Sequence, residues 1–155
     1  MKGEAGTETT ADAGKTKSGS VFVCPLSSVP KVVAGAQSKH LITLLQDEIM
    51  VETPDGIEHH LRLGVHDIAE HIPHHIAPQA RHVDELLKFA ERWGGEGAMV
   101  VHCWAGISRS TAAAFSSLCL VNPEVPEMVR ARALRLASPT AQPNRLIVRL
   151  ADEAL

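Results

Sequence analysis

Positive charge, cysteine and long apolar runs are all scarce in this 155-residue chain, and each shortage excludes a class of protein. The net charge of −3 does not favour binding to nucleic acid or to an anionic membrane surface. Three cysteines do not make a disulfide framework, so we expect reduced thiols. No apolar run approaches membrane-spanning length, and the N-terminus has no signal-peptide core. We therefore expect a cytoplasmic protein with neither a nucleic-acid nor a membrane partner.

The first 19 residues differ in composition from the rest of the chain. After Met1 they contain no bulky apolar residue, so they cannot bury enough surface to offset the entropy lost on ordering. We predict that residues 1–19 are a disordered tail. Residues 20–155 have the length of one domain, and a chain of this size buries roughly 70% of its unfolded surface. We predict that they form a single domain.

Strand and helix patterns alternate through this domain. Short apolar runs predict strands at 21–26, 40–46, 60–65 and 98–103. Helical spacing of apolar residues predicts helices at 77–93, 106–121, 126–137 and 144–155. A shorter helix is predicted after Ser27 or Ser28, with Pro30 in its first turn and Gly35 at its end. This order predicts an α/β fold, in which helices flank a central, mostly parallel sheet of four to five strands.

The stretch HCWAGISRS, residues 102–110, lies where the most apolar predicted strand meets the next helix. Cys103 ends that strand, and ligands of parallel sheets bind at the carboxyl ends of the strands. Gly106 permits a tight turn in which main-chain amides point inward beside a helix N-terminus and form a concave anion site. Arg109, in the first helical turn, can hold two oxygens of a tetrahedral dianion. The stretch therefore predicts a phosphate-binding loop.

The same positive field acts on the sulfur of Cys103. A thiol beside an arginine and a helix N-terminus has a lowered pKa, and the thiolate is the nucleophilic form. Such a sulfur is set up to attack phosphorus and form a phosphocysteine. The hydroxyl of Ser110 can then stabilise the sulfur as the leaving group when water attacks. The alternative is that Cys103 is a small buried packing residue and Arg109 a surface charge.

This stretch resembles the signature H-C-x-x-G-x-x-R-[ST] of the cysteine-dependent protein tyrosine phosphatases. Its place in a short chain resembles the small dual-specificity-like, bacterial-type branch, and the resemblance covers residues from about 20 to 155. Low-molecular-weight phosphatases and arsenate reductases of that fold fit badly, because their loop lies near the N-terminus. The resemblance implies a phosphatase whose loop binds phosphate through Trp104, Ala105, Gly106, Ile107, Ser108 and Arg109.

A phosphatase of this kind also needs a proton donor for the leaving oxygen. The resemblance implies an aspartate on a loop some three dozen residues before the cysteine. Asp67 follows the third predicted strand, 36 positions before Cys103, and we predict that it is the general acid and later the base. Glu70, three positions further on, is the second candidate. A solvated loop aspartate with no catalytic role is the remaining interpretation of Asp67.

Two further residues match supporting positions of the family. The resemblance implies that His102 hydrogen-bonds near the sulfur and keeps the loop in shape without transferring protons. It also implies that the side chain of Asn144, in the Pro-Asn pair before the last helix, braces the phosphate loop from behind. Asn144 can equally be a helix cap, and the two roles are compatible.

Other clusters carry no predicted chemistry. Seven of the nine histidines fall between positions 59 and 82: His59, His60, His66, His71, His74, His75 and His82. No cysteine or paired carboxylate completes a zinc pattern, so we expect solvated histidines around the rim of the site and neither metal nor cofactor. Cys24 and Cys119 are predicted to be buried and inert.

Three functional hypotheses follow from the sequence. The first is a protein tyrosine or dual-specificity phosphatase that acts through a phosphocysteine on phosphorylated protein. The second is a non-catalytic phosphate-binding module. The third is a phosphatase for a non-protein ester, such as a small phosphate ester or an RNA 5′ end. The loop has no lysine, which disfavours a phosphoinositide, and the mildly acidic chain disfavours RNA. Inorganic phosphate or another oxyanion is expected to bind in the loop.

Overall fold

A five-stranded sheet forms the centre of the computed structural model, which describes residues 5–9 and 19–155. The strands are β1 (Ala5–Thr9), β2 (Gly19–Pro25), β3 (His40–Leu45), β4 (His59–Gly64) and β5 (Gly97–Cys103). Their order in the sheet is β1-β2-β5-β3-β4. All neighbouring pairs are parallel except β1 with β2, which is antiparallel. The predicted α/β fold with a central, mostly parallel sheet is therefore confirmed.

One helix joins β2 to β3, another joins β4 to β5, and the remaining three follow β5. They are α1 (Val29–Ala36), α2 (Ala80–Trp93), α3 (Arg109–Val121), α4 (Glu127–Ala137) and α5 (Arg145–Ala154). None of the helices in residues 5–9 and 19–155 combines the length and the apolar character that crossing a bilayer requires.

The sheet separates two apolar cores of unequal size. The larger core contains Met99 and Val101 of β5 and residues of helices α2 to α5. The smaller core lies on the other face, where α1 packs against Val100. Side chains alternate between the faces of a strand, so neighbours in sequence point into different cores. Cys103 belongs to the larger core, and His102 points to the opposite face.

The helix ends differ from the predicted ends for local reasons. Helix α1 begins after Ser28 and has Pro30 in its first turn, as predicted, but it continues one residue past Gly35. Gln37 takes the left-handed conformation there, with φ of 51°. Helix α2 begins at Ala80, three residues later than predicted, where Gln79 and His82 form a reciprocal cap.

The N-terminal prediction is wrong for residues 5–9. The sequence predicted a disordered tail over residues 1–19, whereas Ala5–Thr9 forms β1 and pairs with β2. Strand pairing uses main-chain N–H and C=O groups, so a segment without bulky apolar residues can still add to an open edge. The remainder of the predicted tail, residues 1–4 and 10–18, lies outside the described residues.

The carboxyl ends of β2 to β5 meet at one edge of the sheet, because these four strands are parallel. The segments that follow the strands are hydrogen-bonded to one another at this edge. Leu26, after β2, donates its N–H to the carbonyl of Trp104, after β5, at 3.1 Å. Val65, after β4, donates its N–H to the carbonyl of Leu45, at the end of β3, at 3.0 Å. The predicted phosphate loop is thus placed where ligands of such sheets bind.

Candidate active site

The thiol of Cys103 lies at the base of the turn formed by residues 103–109, called here the phosphate loop. Its side chain is only 2% exposed. The Gly106 N–H donates to Sγ at 3.3 Å, and the Ser110 hydroxyl oxygen lies 3.1 Å from Sγ. Gly106 has φ of 70°, and a Cβ at this position would lie 2.7 Å from the main chain of Cys24 and Pro25. Both the conformation and the space therefore require glycine.

The surroundings of the sulfur favour its ionised form. Burial alone would raise the pKa of the Cys103 thiol, but hydrogen bonds from Ser110, the charge of Arg109 and the Gly106 N–H outweigh it. The pKa of Cys103 is therefore below its ordinary value. Cys119 shows the opposite effect, because burial raises its pKa to about 11. Cys24 is buried and Cys119 is partly buried.

The guanidinium of Arg109 is buried beneath the loop, so the interpretation of this residue as a surface charge is wrong. The residue is 6% exposed, and its Nη1 donates to the carbonyl of Val65 at 2.9 Å and to Gln46 Oε1 at 3.3 Å. Its Nε is buried and has no hydrogen-bond partner in the described part of the chain. A buried donor left unpaired is costly, and an oxyanion in the loop would satisfy it.

Three carbonyl groups of the phosphate loop accept hydrogen bonds from main-chain N–H groups outside the loop. Trp104 O accepts from the Leu26 N–H at 3.1 Å, and Ile107 O accepts from the Gln142 N–H at 2.9 Å. Ser108 O accepts from the Asn144 N–H at 3.1 Å. Holding these carbonyls outward leaves the loop amides to face the centre of the turn, which is the arrangement of an anion-binding nest.

The side chains of the loop differ in exposure. Trp104 is 60% exposed. Ala105 is exposed, Gly106 is buried, and Ile107 and Ser108 are half-buried. An anion in the loop would therefore contact its main chain, while Trp104 and Ala105 lie at the rim.

Asp67 lies in the segment between β4 and α2, residues 65–79, called here the acid segment. Its Oδ1 accepts from the Ser108 hydroxyl at 2.7 Å and from Asn144 Nδ2 at 3.0 Å. Glu70, the second candidate, is exposed and forms no hydrogen bond or ion pair with the described residues. The structure thus brings Asp67 to the phosphate loop and does not bring Glu70.

Asn144 connects the acid segment to the phosphate loop. Its Oδ1 accepts from the N–H groups of Leu146 and Ile147, which makes it the N-cap of α5. Its Nδ2 donates to Asp67 and to the carbonyl of Ile68, both at 3.0 Å. The side chain therefore braces the acid segment, and only the main-chain N–H contacts the phosphate loop. The side chain reaches the loop only through Asp67, which also accepts from Ser108, so direct bracing of the loop by this side chain stays a prediction.

His102 contacts the main chain beside the sulfur. Its Nδ1 lies 3.1 Å from the Cys103 carbonyl oxygen, and its Nε2 lies 2.7 Å from Thr43 Oγ1. Burial lowers the pKa of His102 to about 4, with the charge of Arg109 acting in the same direction. The ring is therefore neutral at pH 7. It contacts the phosphate loop at the Cys103 carbonyl, where the loop leaves β5.

Two contacts of the site were missed by sequence reasoning. Gln46, which holds Arg109, follows β3 at the same sheet edge as the loop. Its position at the carboxyl end of a parallel strand is the signal that could have found it. Thr43, which holds His102, gives only a weak signal as the one hydroxyl in the strand HLITLL.

The histidines between positions 59 and 82 are dispersed and form no single cluster. His66 and His75 contact each other edge to face in the acid segment, with ring centroids 4.7 Å apart. His60 lies on β4 and His82 in the cap of α2. Within residues 5–9 and 19–155, no group of three or more His, Cys, Asp or Glu side chains is arranged to hold a metal ion.

Comparison with known proteins supports the fold. No family model matches the chain, and no curated protein is similar to it in sequence. The solved structure of DUSP15 is 23% identical, with a TM-score of 0.66 over 86% of this chain and 81% of that chain. The human tyrosine phosphatase-like serine/threonine/tyrosine-interacting protein is 19% identical, with a TM-score of 0.65 over 86% and 89%. PTPMT1 in complex with PI(5)P is 18% identical, with a TM-score of 0.63 over 88% and 89%. The chain therefore has the fold of the dual-specificity and tyrosine phosphatases, as its resemblance to them implied.

Proposed function

We propose that this chain is a cysteine-dependent phosphatase that hydrolyses phosphate monoesters through a phosphocysteine. The observation that carries the proposal is the surroundings of one sulfur. Cys103 Sγ lies 3.1 Å from the Ser110 hydroxyl and 3.3 Å from the Gly106 N–H, and its pKa is lowered. Beneath the loop, the buried Nε of Arg109 has no hydrogen-bond partner among the described residues. This arrangement combines an activated nucleophile with donors for a dianion.

In the first step, the Cys103 thiolate attacks phosphorus and the bond between phosphorus and the leaving oxygen breaks. The loop amides and Arg109 hold the three non-bridging oxygens, on which the negative charge lies in the transition state. Asp67, held at the loop through Ser108, donates a proton to the leaving oxygen. The products of this step are an alcohol or phenol and the phosphocysteine.

In the second step, water attacks the phosphorus of the phosphocysteine. The Asp67 carboxylate, formed in the first step, takes the proton from that water. The bond between sulfur and phosphorus breaks, and Cys103 leaves as a thiolate stabilised by the Ser110 hydroxyl. The site then holds orthophosphate and a protonated Asp67, ready for the next cycle.

Phosphotyrosine or mixed phosphoprotein substrates fit the site best. The sulfur is buried while Trp104 and Ala105 are exposed, so the phosphate would enter a recess whose rim is open to a large substrate. A phosphoinositide is the second candidate substrate, because the similar structure of PTPMT1 contains PI(5)P. The absence of lysine from the phosphate loop favours the protein substrate.

Turnover of 4-nitrophenyl phosphate, with and without vanadate, tests the proposal. The wild-type protein should hydrolyse it and vanadate should inhibit. Cys103→Ser should reduce turnover to background while phosphate-bearing ligands still bind. Cys119→Ser is the matched control, because this thiol has a raised pKa and should leave turnover unchanged. Binding of phosphate-bearing ligands without turnover in the wild type would overturn the proposal in favour of a non-catalytic module.

A phosphopeptide and phosphoinositide panel separates the substrate classes. We expect the wild type to release phosphate from phosphotyrosine peptides faster than from phosphoinositides at equal concentration. The reverse ranking would assign the non-protein ester instead.

A further inference from the structure

A chain of hydrogen bonds crosses the sheet behind the phosphate loop. It begins at exposed Thr53, whose Oγ1 lies 2.8 Å from His60 Nδ1 on β4. His60 Nε2 lies 2.8 Å from Thr43 Oγ1 on β3, and this hydroxyl lies 2.7 Å from His102 Nε2 on β5. His102 Nδ1 lies 3.1 Å from the carbonyl oxygen of Cys103. Two histidines and two hydroxyl groups thus join the surface to the main chain of the proposed nucleophile.

With both imidazole rings neutral, only one assignment of donors and acceptors satisfies every link. A carbonyl oxygen only accepts, so His102 Nδ1 carries the proton and its Nε2 is an acceptor. Thr43 must therefore donate to His102 and accept from the Nε2–H of His60. His60 Nδ1 is then an acceptor, and Thr53 donates to it. Burial lowers the pKa of both His60 and His102 to about 4, which keeps the two rings neutral at pH 7.

The last link controls the direction of a loop amide. The peptide bond between Cys103 and Trp104 is trans, as are all the described peptide bonds, so its C=O and N–H point in opposite directions. A donor that holds the Cys103 carbonyl towards His102 therefore turns the Trp104 N–H away from His102. If His102 carried its proton on Nε2 instead, the carbonyl would lose this donor.

We propose that Thr43 is a positioning residue for Cys103, acting through His102. Its hydroxyl keeps His102 in the tautomer that holds the Cys103 carbonyl, and His60 keeps the hydroxyl pointed at His102. The inference rests on the proposed function, because it assigns the support of the proposed nucleophile. Thr43 is fully buried in a strand otherwise made of His40 and four apolar residues, where valine would fill the same space.

A pair of substitutions isolates the hydroxyl of Thr43. Thr43→Val replaces the hydroxyl by a methyl group of similar size, whereas Thr43→Ser keeps it. In Thr43→Val the His102 ring loses its donor and can move the proton to Nε2. We expect the Cys103 pKa to rise towards its ordinary value and kcat/KM to fall about ten-fold. Thr43→Ser should restore both to near wild-type values.

Two measurements that need no turnover make the test specific. The first is the ¹⁵N chemical shifts of the His102 ring, which distinguish its two tautomers. The second is the rate of Cys103 alkylation against pH, followed by mass spectrometry of the peptide. Thr43→Val should shift both, and Thr43→Ser neither. An unchanged tautomer and alkylation profile in Thr43→Val would overturn the inference.

A second variant covers the case in which Thr43→Val does not fold. His60→Leu removes the donor to Thr43 at a half-buried position, and it should shift the same two measurements in the same direction by a smaller amount. Unchanged values in a folded His60→Leu protein would overturn the role of His60. Failure of the proposed function is distinguishable, because it would appear as absent turnover in the wild type.

Discussion

The phosphate loop and the acid segment meet at Ser108 and Asp67, yet they are held in contrasting ways. The loop is bound by the β2–α1 connection, by the start of α5 and by the sheet, and its arginine is buried. The acid segment contains no helix or strand, and most of its main-chain bonds stay within the segment, such as His66 N–H to Ile76 O at 2.8 Å. Asp67 and Ile68 are connected to the rest of the site through the side chains of Ser108 and Asn144.

Under the proposed function, this difference corresponds to two catalytic requirements. Electrostatic stabilisation works best with donors that are fixed before the reaction begins, and the loop satisfies this condition. A residue that gives a proton and later takes one must serve two different oxygens, which a lightly held segment allows. Variants of Asp67, Gln46 and Asn144 show whether the two regions contribute independently.

Removing the proposed general acid, Asp67, should reduce the rate most on substrates with poor leaving groups. Asp67→Asn keeps the size of the side chain and an acceptor for Ser108, but it cannot donate the catalytic proton. We expect kcat to fall by about 10²–10⁴-fold on an alkyl phosphate and much less on 4-nitrophenyl phosphate, whose leaving group needs little protonation. Glu70→Gln is the control and should leave both rates unchanged. A collapse in Glu70→Gln with an active Asp67→Asn would assign the acid to Glu70.

A charge placed beside Arg109 tests the loop alone. Gln46 Oε1 is neutral and accepts from Arg109 Nη1 at 3.3 Å. In Gln46→Glu the carboxylate would pair with the guanidinium and offset the field that favours the thiolate. We expect a raised Cys103 pKa and kcat/KM about ten-fold lower at pH 6. Alkylation of Cys103 against pH measures the first effect.

Gln46→Met separates the charge from the hydrogen bond in this test. Methionine has a similar length and carries neither charge nor a strong acceptor. A fall in activity that is equal in Gln46→Met and Gln46→Glu would show that the lost amide matters and that the charge does not.

Asn144 lies between the two regions, so its variants show whether they are coupled. Asn144→Asp keeps an acceptor for the N–H groups at the start of α5, but it replaces the donor to Asp67 by a second carboxylate. Asn144→Ala removes both functions and should cost about 1 kcal/mol of stability. We expect kcat to fall several-fold in both variants, with Tm lowered more in Asn144→Ala. Wild-type kcat in Asn144→Asp would show that the acid segment does not need this donor.

The phosphate loop was more predictable from sequence than the residues of other strands that contact it. Cys103, Gly106, Arg109 and Ser110 lie within eight residues, so their order at a strand end already encodes their geometry. The partners Gln46 and Thr43 come from β3, and their contacts depend on β3 lying beside β5. That strand order follows from how the whole sheet packs, and local periodicity does not contain it.

The N-terminal strand was mispredicted, and the contacts of Asn144 with the acid segment were not foreseen, for related reasons. The pairing of β1 with β2 uses main-chain groups, which every residue type carries, so composition gives no signal for it. The side chain of Asn144 lies near both the phosphate loop and the acid segment and could donate to either. The position of the acid segment decides which of the two it contacts.

The smallest expected effect concerns the histidines behind the loop. Burial lowers the pKa of His60 to about 4, helped by the charge of Arg62, while a histidine in the unfolded chain has a pKa near 6.5. Between these values the unfolded state binds a proton that the folded state does not, so stability falls as the pH falls from 6.5 to 4. His102 contributes in the same direction, because burial lowers its pKa to about 4 as well.

His60→Gln removes one contribution and should reduce the loss of Tm between pH 7 and pH 5 by about 2–4 °C. Calorimetry of each protein at both pH values measures this loss, and exposed His71→Gln serves as the control. An identical loss in wild type and His60→Gln would show that His60 binds a proton in the folded protein over this range.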